Sequence, residues 1–443
     1  MTLRRIVDVR PGEVAAMWTS FVFFFFVLSS YFILRPIRDA VAVATSVGGR
    51  PWLFAGTLAV MLVANPLFSS LVVRFPVRRF VPLTYHFFAA NLLVFFAIMH
   101  ATRGMTGAGA RSVSVAFYIW TSVFNLFITS VFWCFMADVF RSEQAKRLFG
   151  FIGVGGTLGS IMGSGVTAVL AERLGTINLL LVSVILLEIA ALVLVRFPVS
   201  PTTDIKGALT SNSASDSASA PPIGGSVWAG ITSVLRSPYL AGIAAFIVLY
   251  TSGSTFLYLE QLEIVGRSYA SPDAWTAVLA KIEFAVQTLT VLTQIFLTGR
   301  VIRWFGLAAT LALLPAMSMI GFTALGAAPV LSTLTVFIVL RRGTNFGLTN
   351  TAMEVLFTVV RREDKYKAKS LIETFVYRAG DQIAAWTYAV LARFGLGVSG
   401  TAYAAVPLSA AWLVLAVWLG RRQVQLAGEQ GVAPTAAASM AAL

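Results

Sequence analysis

The sequence predicts an all-α polytopic membrane protein whose twelve transmembrane helices form two six-helix halves. Three observations predict it. Hydrophobic residues make up 58% of the chain and charged residues 12%, with a mean hydropathy of +0.82; soluble domains hold roughly 45–50% and about 25%. Twelve apolar stretches can be read along the 443 residues, and a span needs about 20 apolar residues. Finally, Ala145-Lys146-Arg147-Leu148 nearly recurs 223 residues later as Ala368-Lys369-Ser370-Leu371, after the fourth stretch and before the eleventh. A six-plus-six repeat of this kind is a common plan of secondary transporters.

In order, the first six spans read as 15–34, 52–73, 80–100, 113–137, 148–171 and 177–197. The second six read as 239–259, 275–299, 305–325, 329–350, 370–392 and 400–420. Span 1 is not a cleaved signal: it is long, lacks a small-residue cleavage site, and is followed by Arg35-Pro36. In span 5, Gly155, Gly159 and Gly163 recur at every fourth position and read as a close-packing seam. The single cysteine, Cys134, sits in an apolar run and implies no disulfide.

Between the halves, residues 198–236 are small and polar, with Ser211-Asn212-Ser213-Ala214-Ser215, Pro221-Pro222 and Gly224-Gly225. They read as a flexible cytoplasmic linker, with a short interfacial helix at Val227–Leu235. The expected organisation is an N-terminal half at 1–197, this linker, a C-terminal half at 237–422 and a disordered Ala-rich tail at 423–443.

The net charge of +14 is chiefly a topology signal. Alternate loops hold 21 and 8 of the 33 Lys and Arg residues, and the positive-inside rule places the richer side, with both termini, in the cytoplasm. No nucleic-acid partner is implied. The remaining four, Lys281, Arg341, Arg342 and Arg378, lie within spans. A charge at the centre of a lone membrane helix costs about 2.5–3.5 kcal/mol, so it should face protein or a water-filled cavity. Spans 9 and 12 hold no ionisable residue and spans 3 and 6 hold only His86 and Glu188, whereas spans 1, 8, 10 and 11 carry nearly all the others. That division matches the major facilitator architecture, in which helices 3, 6, 9 and 12 are peripheral and the solute site lies between the halves.

Candidate solute-binding residues follow. If helix 1 continues past Pro36, Arg35, Arg38 and Asp39 share a face, and guanidinium forks suit phosphate or carboxylate. The other reading is a helix end with an internal Arg35–Asp39 pair. In span 10, Arg341 and Arg342 point about 100° apart; one could bind solute while the other pairs with an acid on a neighbouring helix, or both lie outside a shorter helix. Asn345 follows them. In span 11, Glu373, Tyr377 and Asp381 form one stripe with Arg378 beside it, either a binding face or a structural ion-pair network. In span 8, Glu283, Gln287 and Gln294 share a face, with Lys281 nearly opposite. Lys281 balances an anionic solute or a carboxylate, or else snorkels. Glu283 and Glu373 are candidate coupling residues, and Trp120 and Tyr377 candidate base-stacking rings. The turn holding Asp138, Arg141, Lys146 and Arg147, and the corresponding turn with Glu354, Lys365, Lys367 and Lys369, read as cytoplasmic gates or as topology signals alone.

Other chemistry finds no support. Gly153-Val154-Gly155-Gly156 lacks the preceding strand and following Gly-Lys-Ser/Thr of a phosphate loop. Two histidines and one cysteine offer no metal cluster, and no nucleophile–base pair suggests an enzyme. No cofactor is expected.

Three strings carry a resemblance. Tyr31-Phe32-Ile33-Leu34-Arg35-Pro36-Ile37-Arg38-Asp39 resembles the helix 1 signature of the ATP/ADP (nucleotide) translocase family. Phe132-Trp133-Cys134-Phe135-Met136-Ala137-Asp138 with Glu143-Gln144-Ala145-Lys146-Arg147 resembles its helix 4–5 junction. Glu354-Val355-Leu356-Phe357 with Lys365-Tyr366-Lys367-Ala368-Lys369 is similar to its helix 10–11 junction. The resemblance implies twelve spans, a major-facilitator-like fold and nucleotide exchange, with Arg35 and Arg38 as phosphate contacts. Phe54 and Thr121 stand where the family carries a Lys and a Glu, which implies a divergent bacterial member.

The expected function is alternating-access transport of an anionic solute, foremost a nucleotide, by a monomer in the bacterial inner membrane. The alternatives are a major-facilitator-type carrier of another metabolite, proton-coupled through Asp381 or Glu283, and a membrane sensor or scaffold without flux.

Overall fold

Apolar runs of 17 to 32 residues leave the backbone one way to satisfy its polar groups in lipid, which is to close them within helices. The computed structural model describes residues 9–74, 77–104, 107–140, 142–197, 234, 236–296, 298–360, 368–369 and 371–429. Among them, twelve helical runs succeed one another. The first half holds α1 (Val14–Ala44), α2 (Arg50–Arg74), α3 (Val77–Ala101), α4 (Ala108–Val139), α5 (Ser142–Leu174) and α6 (Leu179–Val195). The second holds α7 (Pro238–Ser268), α8 (Pro272–Phe296), α9 (Thr298–Ala327), α10, α11 (Tyr377–Arg393) and α12 (Val398–Glu429). Run α10 is broken into α10a (Leu331–Thr344) and α10b (Asn350–Leu356) by a π-helical turn at Asn345–Thr349, and a second π turn at Ile372–Val376 leads into α11.

Nine of these helices, among the described residues, are long and apolar enough to cross a membrane, and α6 is a shorter apolar one. The remaining two are α10 and α11, where the charged residues and the π turns fall. The architecture is the all-α, twelve-helix arrangement expected.

Two boundaries differ from the sequence reading. Helix α1 does not stop near residue 34 but continues through Pro36 to Ala44, because the chain turns apolar again after Asp39. Helix α12 continues past Gln423 to Glu429, so the tail expected to be disordered begins helical. Of the linker at 198–236, only residues 234 and 236 are described.

Within the first half, α5 packs along α1 through its glycines. A methyl group on Gly155, Gly159 or Gly163 would collide with the backbone carbonyl of Phe21, Phe25 or Ser29 respectively. Ser29 Oγ also donates to the Gly159 carbonyl at 3.1 Å. Such close approach is how helices associate where water exclusion offers no drive. Around this seam sits an aromatic core, in which Phe24 and Phe132 stack at 4.0 Å between ring centroids and Phe23 meets Tyr85 edge-on at 5.4 Å. The second half repeats the device: Gly420 of α12 lies against the Ala308 backbone of α9.

Helix α5 packs on α8 across the interface between the halves. Several polar and aromatic contacts between the halves lie toward one end of the bundle, joining the C-terminal ends of α5 and α7, and α11, to the N-terminal ends of α8 and α2. Arg50 pairs with Glu263 at 3.2 Å, the Thr176 amide donates to Asp273 Oδ1 at 2.7 Å, Gln382 donates to the Pro51 carbonyl at 3.3 Å, and Trp52 meets Trp386 edge-on at 5.2 Å. At the other end, the polar contacts described stay inside each half.

Candidate functional site

Two adjoining cavities open between the halves. The first, about 190 Å³, is bordered by α1, α7, α8, α10 and α11. The second, about 310 Å³, is bordered by α1, α2, α4, α7 and α11. Ser254, Tyr258 and Tyr377 line both, so the two adjoin at the interface.

In the first cavity, α1 contributes Arg35 from the turn that holds Pro36, α8 contributes Glu283, and α10a contributes Arg341 and Arg342. Glu283 is gripped from both halves: Arg35 Nη1 lies 3.1 Å from Oε1, and Arg342 Nη1 lies 2.7 Å from Oε2. Gln287, one turn along α8, adds a 2.8 Å bond to Oε1. The ring-like contacts of Arg342 with Phe346 and of Arg35 with Phe32 orient both guanidiniums. Arg35 Nε is buried and has no hydrogen-bond partner among the described residues.

Arg341 is different. It is 2% exposed, and its guanidinium donates only to neutral oxygens: Ser318 Oγ at 2.9 Å, Ser254 Oγ at 3.1 Å and the Tyr250 carbonyl at 3.3 Å. Tyr250 and Trp412 present ring faces to it. Among the described residues no carboxylate pairs with it. A buried cation satisfied in hydrogen bonds but not in charge is a place where an anion is held favourably. The two adjacent arginines thus diverge as helical geometry requires, Arg342 toward an acid on α8 and Arg341 toward α7 and α9. Asn345 donates to Tyr250 OH at 2.9 Å and borders the same space.

The second cavity mixes aromatic, amide and charged groups. Arg38 is bidentate to Asp39 Oδ1, at 2.9 Å and 2.7 Å, and lies over the Tyr118 ring; Tyr258 OH adds a 3.0 Å bond to the same oxygen. The pair inside helix 1 is therefore Arg38–Asp39 rather than Arg35–Asp39, since Arg35 reaches across to Glu283. Asp381 accepts from Thr255 at 2.9 Å, and Arg378 borders the cavity one turn earlier on α11.

Several sequence candidates stand elsewhere. Lys281 is exposed on α8 and borders neither cavity. Glu373 falls in the π turn, whose extra residue rotates it away from Tyr377 and Asp381; it is exposed and lies 3.6 Å from Lys369. Trp120 stacks on Phe124 in the aromatic core of the first half and borders neither cavity.

Of the gate candidates, Lys369 pairs with Glu354 at 2.7 Å inside the second half. Arg147 pairs with Glu13 at 2.9 Å inside the first. Glu13 also accepts from Gln144 at 2.9 Å. Burial opposes its charge, but the bonds from Arg147 and Gln144 outweigh burial and hold the carboxyl below the usual range. Asp138 is exposed and borders neither cavity. Arg141, Lys365, Lys367 and the Lys146 side chain lie outside the described residues. These pairs clamp helices within a half. The contacts that join the halves, such as Arg50–Glu263, were not visible in the sequence, where Arg50 and Glu263 both fall in loops.

A family model described as TLC ATP/ADP transporter matches residues 53–326. The chain is 21% identical over 428 residues to ADP,ATP carrier protein 1 of Chlamydia muridarum (strain MoPn / Nigg), covering 84% of this chain and 81% of that protein. It is 20% identical over 494 residues to ADP,ATP carrier protein 1 of Chlamydia pneumoniae, covering 93% and 90%. Among solved structures, the nucleoside transporter NupG superposes with a TM-score of 0.58 at 13% identity, over 93% of this chain and 98% of that one. A bacterial homolog of the human lysosomal transporter Spinster, inward-facing and unoccupied, superposes with a TM-score of 0.51 at 12% identity, over 98% and 97%.

Proposed function

The chain belongs to the TLC ATP/ADP transporter family, a multi-pass membrane transporter by that membership, and from this premise we propose that it exchanges nucleotides by alternating access. The observation that carries the reading is Arg341, a buried guanidinium without a carboxylate partner beside the bridge Arg35–Glu283–Arg342. The di- or triphosphate enters the first cavity, neutralises Arg341 and takes Arg35 and Arg342 from Glu283. Guanidinium forks match phosphate oxygens two at a time. Because Arg35 comes from one half and Arg342 from the other, a phosphate bound by both ties the halves together during the transition, as Glu283 does without it. The polar pinch at one end of the bundle and its absence among described contacts at the other fit one arm of the alternating cycle.

The chain sits in the bacterial inner membrane with both termini cytoplasmic, in keeping with the loop charge asymmetry. The pinched end then faces away from the cytoplasm, and the cavities open inward.

The test is counterflow in proteoliposomes. Vesicles loaded with ADP are expected to accumulate labelled ATP saturably, and empty vesicles are not. Equal uptake by loaded and empty vesicles would overturn exchange, and no uptake by folded, inserted protein would overturn the nucleotide assignment.

A further inference from the structure

We propose that the second cavity receives the nucleoside end of the transported molecule and that Asp381 selects it by accepting a hydrogen bond from an amine of the base or a hydroxyl of the ribose. This rests on the nucleotide reading above and assigns the two ends of the substrate to two compartments.

The compartments differ in how many guanidiniums they gather. The first is bordered by three, Arg35, Arg341 and Arg342, of which Arg341 has no carboxylate partner among the described residues. The second is bordered by two, Arg38, which is bonded to Asp39, and Arg378. A polyphosphate, which needs several cations at once, is placed in the first. The compartments also differ in size, about 310 Å³ against about 190 Å³, and the larger has the room that a base requires. Phe54, Met61 and Tyr118 border it, and Phe54 packs edge-on to Tyr258 at 6.0 Å. Ser254, Tyr258 and Tyr377 border both, so the two compartments lie side by side, within the span of one solute.

Asp381 supplies the discrimination. An ionised carboxylate accepts through about four lone-pair positions, and the described hydrogen bonds occupy one oxygen, through Thr255. What remains can only accept. It favours a donor on the nucleoside and repels phosphate, which enforces one orientation of the molecule across the two cavities. A site built to bond a donor rejects the analogue lacking it far more strongly than an apolar pocket rejects a change of size.

The experiment is competition in ADP-loaded proteoliposomes, with labelled ATP exchange challenged by unlabelled ATP, ITP, 2′-deoxy-ATP, 3′-deoxy-ATP and tripolyphosphate. ITP lacks the base amine and the deoxy analogues each lack one ribose hydroxyl, so they separate the two sources of the donor. Wild type is expected to discriminate against at least one of these analogues by about tenfold or more, and Asp381→Asn to shrink that same ratio to about threefold or less. Discrimination unchanged in Asp381→Asn, or no discrimination by wild type, overturns the proposal. Should Asp381→Asn fail to fold, Phe54→Ala decides: inhibition by ATP is expected to weaken while inhibition by tripolyphosphate holds, and equal weakening of both overturns the compartment assignment. Wild-type protein that shows no ATP/ADP exchange at all overturns the nucleotide reading itself, a result distinct from exchange that proceeds without discrimination.

Discussion

Arg341 and Arg342 are neighbours in the chain with opposite tasks, and the difference comes from what each can reach. Arg342 meets Glu283, so its charge is balanced inside the protein. Arg341 meets hydroxyls and a carbonyl, so no carboxylate among the described residues balances its charge, and we propose that the solute does. Glu283 is then a competitor for the phosphate as well as a structural partner. Removing its charge in Glu283→Gln frees Arg35 and Arg342 for substrate while leaving two cations without their anion. Purified Glu283→Gln is expected to bind ADP roughly tenfold more tightly than wild type, about 1.4 kcal/mol, and to unfold at a lower temperature without ligand, since breaking a buried ion pair is destabilising. Equilibrium binding and thermal unfolding with and without ADP check both. Equal affinity in the two proteins would remove Glu283 from competition with the solute.

One helix pair illustrates how the elements are held. The α1–α5 seam depends on glycines that leave no room for a side chain, and this was legible in the sequence because the four-residue spacing places them on one face. Gly163→Val drives a side chain into the Ser29 carbonyl and is expected to cost about 1–3 kcal/mol, read as a lower unfolding temperature in detergent. The same pair of helices is clamped at its outer end by Glu13 with Arg147 and Gln144. A carboxyl held below its ordinary range stabilises the fold above that range and loses this contribution as pH falls through it, near pH 4 and below. The unfolding temperature of wild type is therefore expected to exceed that of Glu13→Gln at pH 7, and the gap to close as pH drops below about 4. A gap that stays constant over that range would contradict the clamp. The π turns in α10 and α11 were not legible. An extra backbone residue leaves no mark in composition or hydropathy, and it rotates everything before it; hence the stripe read through Glu373, Tyr377 and Asp381 splits in the structure, leaving Glu373 at the surface. Trp120 misled for a related reason, since an aromatic in a span looks alike whether it faces solute or packs on Phe124.

At the scale of the whole molecule, α5 packs on α8 and polar contacts join the two halves at one end and at Glu283. Spans, repeat and peripheral helices could be read from hydropathy and charge placement, because lipid penalises exposed charge everywhere along the chain. Which charges meet across the interface could not, since Arg50 and Glu263 are 213 residues apart and belong to different halves. Their pair bridges the halves at the pinched end, and we propose that it acts there as a gate. Arg50→Glu places like charges together there and is expected to abolish exchange, and the double charge swap Arg50→Glu/Glu263→Arg to restore part of it, a coupling that a double-mutant cycle measures. Additive losses in the double variant would show that the pair does not act as a gate.

If the charge on Arg341 holds the transported anion, counterflow of labelled ATP into ADP-loaded proteoliposomes separates wild type, Arg341→Lys and Arg341→Gln, each shown to unfold cooperatively. Wild type is expected to exchange saturably, Arg341→Lys more weakly, and Arg341→Gln to show background uptake only. Exchange by Arg341→Gln at the wild-type rate would contradict that role of the charge.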